Sequence, residues 1–353
     1  MEVSESNNIE ARELSEEEKN NFKNNIISDE IINAEPEGTI SSAKKGDMNY
    51  FDKTTLLTDN NGNRVWIPGG FRIHEESSTD VNKGIVITDG TNEFVWIPVD
   101  DATASEMYVS SKPVKLSNVD VETNIYSKLR VREGENYYSS FPGDTDKNKI
   151  KEPDVLINNY NFYDSRKEYY NTLGYSSDEE MAEKIVEEYI NTYNSIKEYK
   201  GFYVGRYELT GTIDEPTVKK KEKVINSQNW YSLKKACNNI VNTEFAKSIM
   251  IYGNQWDTVM SWLVKTGART ESEVYVDSRT WGNYIDSKVP VIDDEGYVTF
   301  QVAGRSDDWK ANNIFDLAGN YYEWTQEEEG DYGRVFRSRR CWKFWSKIPC
   351  SNA

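Results

Sequence analysis

The sequence predicts an α+β fold of short, irregular, mixed strands and about three helices, and three observations carry that expectation. Short β-like runs separated by turn residues fill the interval from Lys53 to Val99. From Ser177 onward, apolar residues recur at the spacing of amphipathic helices. Further on, Asn313-Ile-Phe-Asp-Leu-Ala-Gly-Asn-Tyr-Tyr-Glu-Trp-Thr325 reads as a tight turn leading into a short aromatic strand. There Asn313, Asp316 and Asn320 bring turn chemistry, Gly319 tolerates positive φ, and Tyr322 and Trp324 alternate with Glu323.

Composition narrows the partners. The chain has 353 residues, 13% of them aromatic, which is bulk enough for one large domain or two ordinary ones. A formal charge of −18 argues against non-specific nucleic-acid binding, because such a surface repels a phosphate backbone. No run approaches the roughly 18 apolar residues that span a bilayer, so no membrane span is expected. Met1-Glu-Val-Ser-Glu-Ser lacks the basic and apolar regions of a signal peptide. A complete chain is therefore expected in the cytoplasm, and a piece of something larger at a cell surface or on a phage particle. Three cysteines do not make a disulfide framework.

Residues 1–48, rich in Glu, Asn and Ser, are expected to be an acidic mobile extension with one short helix capped by Ser15 and Glu18. Residues 49–93 read as a small β lead-in. Val65-Trp-Ile-Pro68 recurs as Val95-Trp-Ile-Pro98, each after a turn-rich segment, which predicts two similar strands; Gly69-Gly-Phe71 and Gly84-Ile-Val-Ile-Thr88 predict two more. His74, the single histidine, is placed on a surface strand. Residues 101–175 lack a clean period, and their aromatic, Asn and Asp residues suit either irregular surface structure or stacking on a sugar ring.

Ser177 and Glu180 open a helix as a capping box; Met181, Ile185, Val186, Tyr189, Ile190 and Tyr193 share its inner face, and Gly201 stops it. Gly201-Phe-Tyr-Val-Gly-Arg-Tyr-Glu-Leu-Thr210 follows as one strand, with Arg206 and Glu208 read as a buried ion pair. A second helix after Ser227 turns Leu233, Ala236, Cys237 and Ile240 inward, making Cys237 a small apolar core residue rather than a nucleophile. A third, from about Asn254 to Lys265, buries Trp256, Val259, Met260, Leu263 and Val264 and ends at Gly267. Asp293-Asp-Glu-Gly-Tyr297 is either a solvated acidic loop or a source of calcium ligands, without EF-hand spacing.

Three of these segments together resemble one family. Asn313 to Thr325 is similar to Asn-Ile-Tyr-Asp-Leu-Ala-Gly-Asn-Val-Trp-Glu-Trp-Thr, a signature of the formylglycine-generating enzyme (sulfatase-modifying factor) family, a branch of the C-type-lectin-like folds. Phe202 to Thr210 is similar to that family's Phe-Tyr-Ile-Gly-(Lys/Arg)-Tyr-Glu-Val-Thr strand, and Trp256-Asp257 to the Trp-Glu of a scaffold helix. The resemblance spans roughly 94–337, with an insertion at about 101–198, and delimits a formylglycine-generating-enzyme-like domain at 94–353 that is atypical after 337. It implies a structural calcium held by Asn320 and Glu323. Family members that oxidise a sulfatase cysteine hold Cu(I) between two cysteines separated by four residues, since soft thiolates select that ion. Here Cys341 and Cys350 are separated by eight, and the Gly-Gly and Arg-Tyr-Arg around the family's pair are missing, so neither copper nor oxidase activity is expected.

The tail admits two readings. Arg334-Val-Phe-Arg337 keeps the family's Arg-Val-x-Arg, and the match ends there as the chain turns basic. If Arg339 and Arg340 are AGG codons, reading Arg339 to Trp345 one base later restores Gly-Gly, which predicts a frameshift near Ser338. If the tail is native, Trp342, Phe344 and Trp345 fall where C-type-lectin-like variable proteins contact their ligands, and are the candidate ligand-binding residues. The function this favours is a non-enzymatic, lectin-like module on a bacterial surface or phage particle, with a carbohydrate or protein ligand. The alternatives are an oxidoreductase of the formylglycine-generating type and a structural or assembly protein.

Overall fold

The second Val-Trp-Ile-Pro run lies in the central sheet. The computed structural model describes residues 31, 33–45, 49–99, 115–116, 119–120, 150–151, 170–176, 178–275, 277–284, 302–329 and 333–337. The molecule is α+β, with several small sheets. Its four-stranded sheet runs β10 (Gly201–Gly205), β6 (Glu93–Pro98), β5 (Val86–Thr88), β4 (Arg72–Ile73), all antiparallel. Residues alternate across its faces as a pleated strand requires. Val86, Val95, Ile97 and Phe202 enter one core cluster, while Ile87, Trp96 and the partly buried Phe94 enter another. Pairing of Val86 with Val95 crosses residue 93, so the lead-in strands and the domain after them share one sheet.

The first copy of the repeat builds a separate three-stranded sheet, order β1 (Gly38–Thr39), β2 (Thr55–Thr58), β3 (Arg64–Ile67). Here the expected mobile extension gives way to structure before residue 48. β1 pairs in parallel with β2, helix α1 (Ile40–Lys45) follows, and Ile40 is fully buried among Leu57, Val65 and Phe71. The apolar side chain of Ile40 anchors this segment; the Ser15 helix lies outside the described residues. Gly69-Gly70 forms a turn rather than a strand, with Gly70 at φ +83, and β4 begins only at Arg72.

Helix α2 (Asp178–Tyr199) buries Met181, Ile185 and Ile196. Glu180 accepts from the amide and hydroxyl of Ser176, and Ser177, where the cap was expected, is outside the described residues. Lys200 takes the left-handed conformation that ends the helix, at φ +58. Gly201 serves the sheet instead: a Cβ there would lie 2.3 Å from the Trp96 ring. Helix α3 (Trp230–Asn238) is capped by Asn229, whose side chain accepts from the Ser232 amide. Helix α4 (Gly253–Lys265) buries Trp256, Val259, Met260 and Leu263 and is followed by Gly267 at φ +71, as expected. Helices α1 and α5 (Glu271–Tyr275), which were not expected, join the three that were. None is long and apolar enough to cross a membrane.

Short pairs complete the described strands. β7 (Lys115–Leu116) pairs with β8 (Val119–Asp120), and β11 (Thr210–Gly211) with β12 (Pro216–Thr217). β13 (Lys310–Ala311) pairs with β14 (Ile314–Phe315). β15 (Glu323–Glu329) sits between β16 (Gly333–Arg337) and β9 (Ile150–Lys151). The expected ten-residue strand at 201–210 is shorter: β10 ends at Gly205, with the Arg206 amide still donating to the Glu93 carbonyl at the start of β6.

Two polar readings change with the fold. Arg206 does not pair with Glu208. Its guanidinium, 1% exposed, bonds Glu93 at 2.5 Å and Glu76 at 2.7 Å. His74 is half-buried beside this pair rather than on a surface strand: its Nδ1 accepts from the Glu76 amide at 3.1 Å, and Nε2 lies 3.6 Å from Glu93. Burial, reinforced by Arg206, holds the imidazole below its ordinary pKa against the opposing field of Glu93.

Candidate functional site

The segment from Asn312 to Glu323 carries five residues with positive φ, and these fold it so as to gather the carboxylates. Asn312 and Asn313 have φ +45 and +68 between β13 and β14, as a two-residue type I′ hairpin requires. Asp316 (φ +57), Gly319 (φ +90) and Asn320 (φ +56) then fold the chain back on itself. Asn283 stitches this loop: its amide donates to the Ala318 carbonyl and its carbonyl accepts from the Asn320 amide, at 2.7 and 2.8 Å. A Cβ at Gly319 would meet the Asn283 carbonyl at 2.4 Å, so the close approach requires glycine.

Two buried carboxylates and one half-buried one belong to this arrangement. Asp316 accepts from the Gly304 amide at 2.7 Å and from Asn283 Nδ2 at 3.2 Å. Glu208 accepts from the Tyr321 amide at 3.1 Å and, in a short contact, from Asn320 Nδ2. Glu323 Oε2 is buried with no hydrogen-bond partner. Burial pushes the Asp316 carboxyl up to about 6 despite both its hydrogen bonds. It raises Glu208 well above the carboxylate range too, helped by the charges of Asp316 and Glu323, and likewise Glu323, helped by Asp316. Negative charge here is costly unless a proton or a cation shares the site.

Beside the carboxylates runs a mostly apolar cavity of about 280 Å³. Its walls include Phe202 to Gly205 of β10, Ile249 to Ile251, Tyr322 to Trp324, and the side chains of Glu208 and Cys237. Burial pushes the Cys237 thiol up to about 12, so it is not a thiolate near neutral pH and packs as the apolar residue expected.

No family model, curated protein or solved structure matches the chain. The site therefore rests on its own geometry. Of the two residues singled out from the sequence, Asn320 bonds Glu208 and Glu323 acts on Glu208 through its charge. Asp316 and Glu208 were passed over as a turn former and an ion-pair partner; the available signal was a glutamate within an otherwise aromatic and apolar run, Tyr207-Glu208-Leu209. Trp342, Phe344, Trp345, Cys341, Cys350 and the acidic run Asp293–Tyr297 lie outside the described residues. Among the described residues no three His, Cys, Asp or Glu side chains stand close enough to hold a metal alone. A cation at Glu323 would need oxygens from Asn320 and the main chain as well.

Proposed function

We propose that the chain is a non-enzymatic binding module of formylglycine-generating-enzyme-like, C-type-lectin-like architecture, steadied by calcium and recognising a carbohydrate or protein ligand at a bacterial surface or on a phage particle. The observation that carries the reading is the turn that brings Glu323 Oε2, buried and unpartnered, beside Asn320 and Glu208. A buried carboxylate oxygen without a hydrogen bond is destabilising, and a hard divalent cation bound by six to eight oxygens offsets that cost. Calcium here would supply positive charge that fixes the turn; Asn320 and Glu323 would hold it.

A second observation supports the architecture. The two segments most similar to the family, over a hundred residues apart in sequence, are joined directly: the Phe315 amide donates to the Arg206 carbonyl at 2.9 Å, and the Tyr321 amide to Glu208. Thermal unfolding of the full chain in EDTA and in Ca²⁺, followed by screening of the calcium-loaded protein against glycans and cell-surface proteins, tests the proposal. A calcium-dependent rise in melting temperature together with a ligand supports it. Conversion of a Cys-x-Pro-x-Arg peptide only when copper is supplied replaces it with the oxidoreductase reading.

A further inference from the structure

We infer that His74 is an acid-sensitive catch: on taking up a proton it releases the turn after β4 from Arg206, the residue that ties that turn to β6 and to the β13–β14 hairpin. Arg206 is the knot of this seam. Its guanidinium bonds Glu93 of β6 and Glu76 of the turn, and its Nε donates to the Asn313 carbonyl at 3.3 Å. From the hairpin, Asn313 Nδ2 donates in turn to the Gly84 carbonyl at 2.8 Å. Stretches far apart in sequence therefore meet around one buried cation.

His74 stands inside that junction with each ring nitrogen committed. The Glu76 amide donates to Nδ1, so in the neutral ring the proton sits on Nε2, which faces the Glu93 carboxylate at 3.6 Å. A second proton has only Nδ1 to go to. There it removes the acceptor of the Glu76 amide and sets an imidazolium against Arg206 Nη1, 3.5 Å away. Charged His74 also competes with Arg206 for Glu93, since both face the same carboxylate oxygen. Glu76 is the side chain placed to give way, because it is half exposed and Lys220 stands 3.9 Å from it as a second cation.

The charged groups around the ring divide. Glu75 and Glu76 on the histidine's own turn and Glu93 from β6 favour the imidazolium, while Arg206 opposes it; Lys220 reaches the site through Glu76. Desolvation is the largest influence and favours the neutral ring, which leaves the imidazole below its ordinary 6.5. With the folded value depressed, the stability His74 contributes is full above 6.5 and is lost as pH falls through the folded value. The catch is closed at pH 7 and opens in acid. It needs neither calcium nor a bound ligand, so its failure leaves the calcium proposal standing.

A single histidine makes the test direct. NMR of the full chain in EDTA, between about pH 7.5 and 5, follows the His74 ring together with the Glu76 amide and Arg206 Nε–H. The expected result is one shared midpoint below 6.5, across which the Glu76 amide loses protection relative to its intrinsic exchange rate and the Arg206 Nε–H signal shifts. His74→Asn keeps an oxygen where Nδ1 accepts but takes no proton, so Glu76 and Arg206 should stop responding over that interval. Asp316 also titrates, at about 6, and the Gly304 amide that donates to it should respond alike in both proteins, reporting that the variant is folded. A His74 midpoint at or above 6.5 overturns the proposal. So does a Glu76 amide that ignores the histidine's midpoint, or one that responds equally in His74→Asn.

Discussion

Asp316→Asn isolates the electrostatic cost of the carboxylate cluster. A folded-state pKa of about 6 against an ordinary 3.8 means that the fold prefers the protonated acid, so the stability it contributes is present below pH 3.8 and is lost as pH rises through about 6. At about 1.36 kcal/mol per pKa unit, ionising Asp316 in place costs about 3 kcal/mol in all, of which about 0.5 kcal/mol is already felt at pH 4. The asparagine cannot ionise. It also gives up one hydrogen bond, to the Gly304 amide or to Asn283, but that loss is the same at both pH values. The difference in unfolding free energy between variant and unaltered protein should therefore move by about 2.5 kcal/mol in the variant's favour from pH 4 to pH 7. Urea denaturation in calcium-free buffer, with slopes compared to check that the transition is unchanged, measures this. A difference that stays flat over that interval refutes the claim that Asp316 is ionised at a desolvated site.

Calcium at about a hundred times its dissociation constant should stabilise the protein by about 2.7 kcal/mol relative to EDTA, and Glu323→Gln should remove that increment; calorimetry in both buffers reads it. Gly201→Ala drives a methyl group to 2.3 Å from the Trp96 ring and 2.7 Å from the Ile97 carbonyl, so a loss of about 1–3 kcal/mol by urea unfolding is expected, the reverse of what alanine does at an ordinary strand position. Leu263→Ala, at a fully buried position on α4, should cost about 2–5 kcal/mol by the same assay. Added Cu(I) should leave the unfolding midpoint of the unaltered chain and of Cys341→Ser equal, and a copper-induced rise that the serine variant lacks would contradict this.

Periodicity made α2, α3 and α4 legible, because their buried faces are long and each apolar residue there is read against its neighbours three and four positions away. The two Val-Trp-Ile-Pro strands were legible for the same reason at period two. Short elements were not: α1 has one fully buried apolar side chain, Ile40, and α5 spans only five residues, too few for a pattern to stand out. Gly201 shows how a correct cue points to the wrong cause, since glycine after a helix commonly ends it, whereas here Lys200 does so and the ring of Trp96 excludes a side chain from 201.

By itself the sequence determined what depends on local conformation: positive φ at Gly319, the turn around Asn313 to Asn320, and the inward face of α4. Only the tertiary structure decided the partners. Arg206 and Glu208 stand two residues apart, yet β10 ends between the sheet and the loop, sending one to Glu93 and Glu76 and the other to Asn320. Desolvation and charge depend on distances in space rather than along the chain, so the joint desolvation of Glu208, Asp316 and Glu323 appeared only once the chain had closed around them.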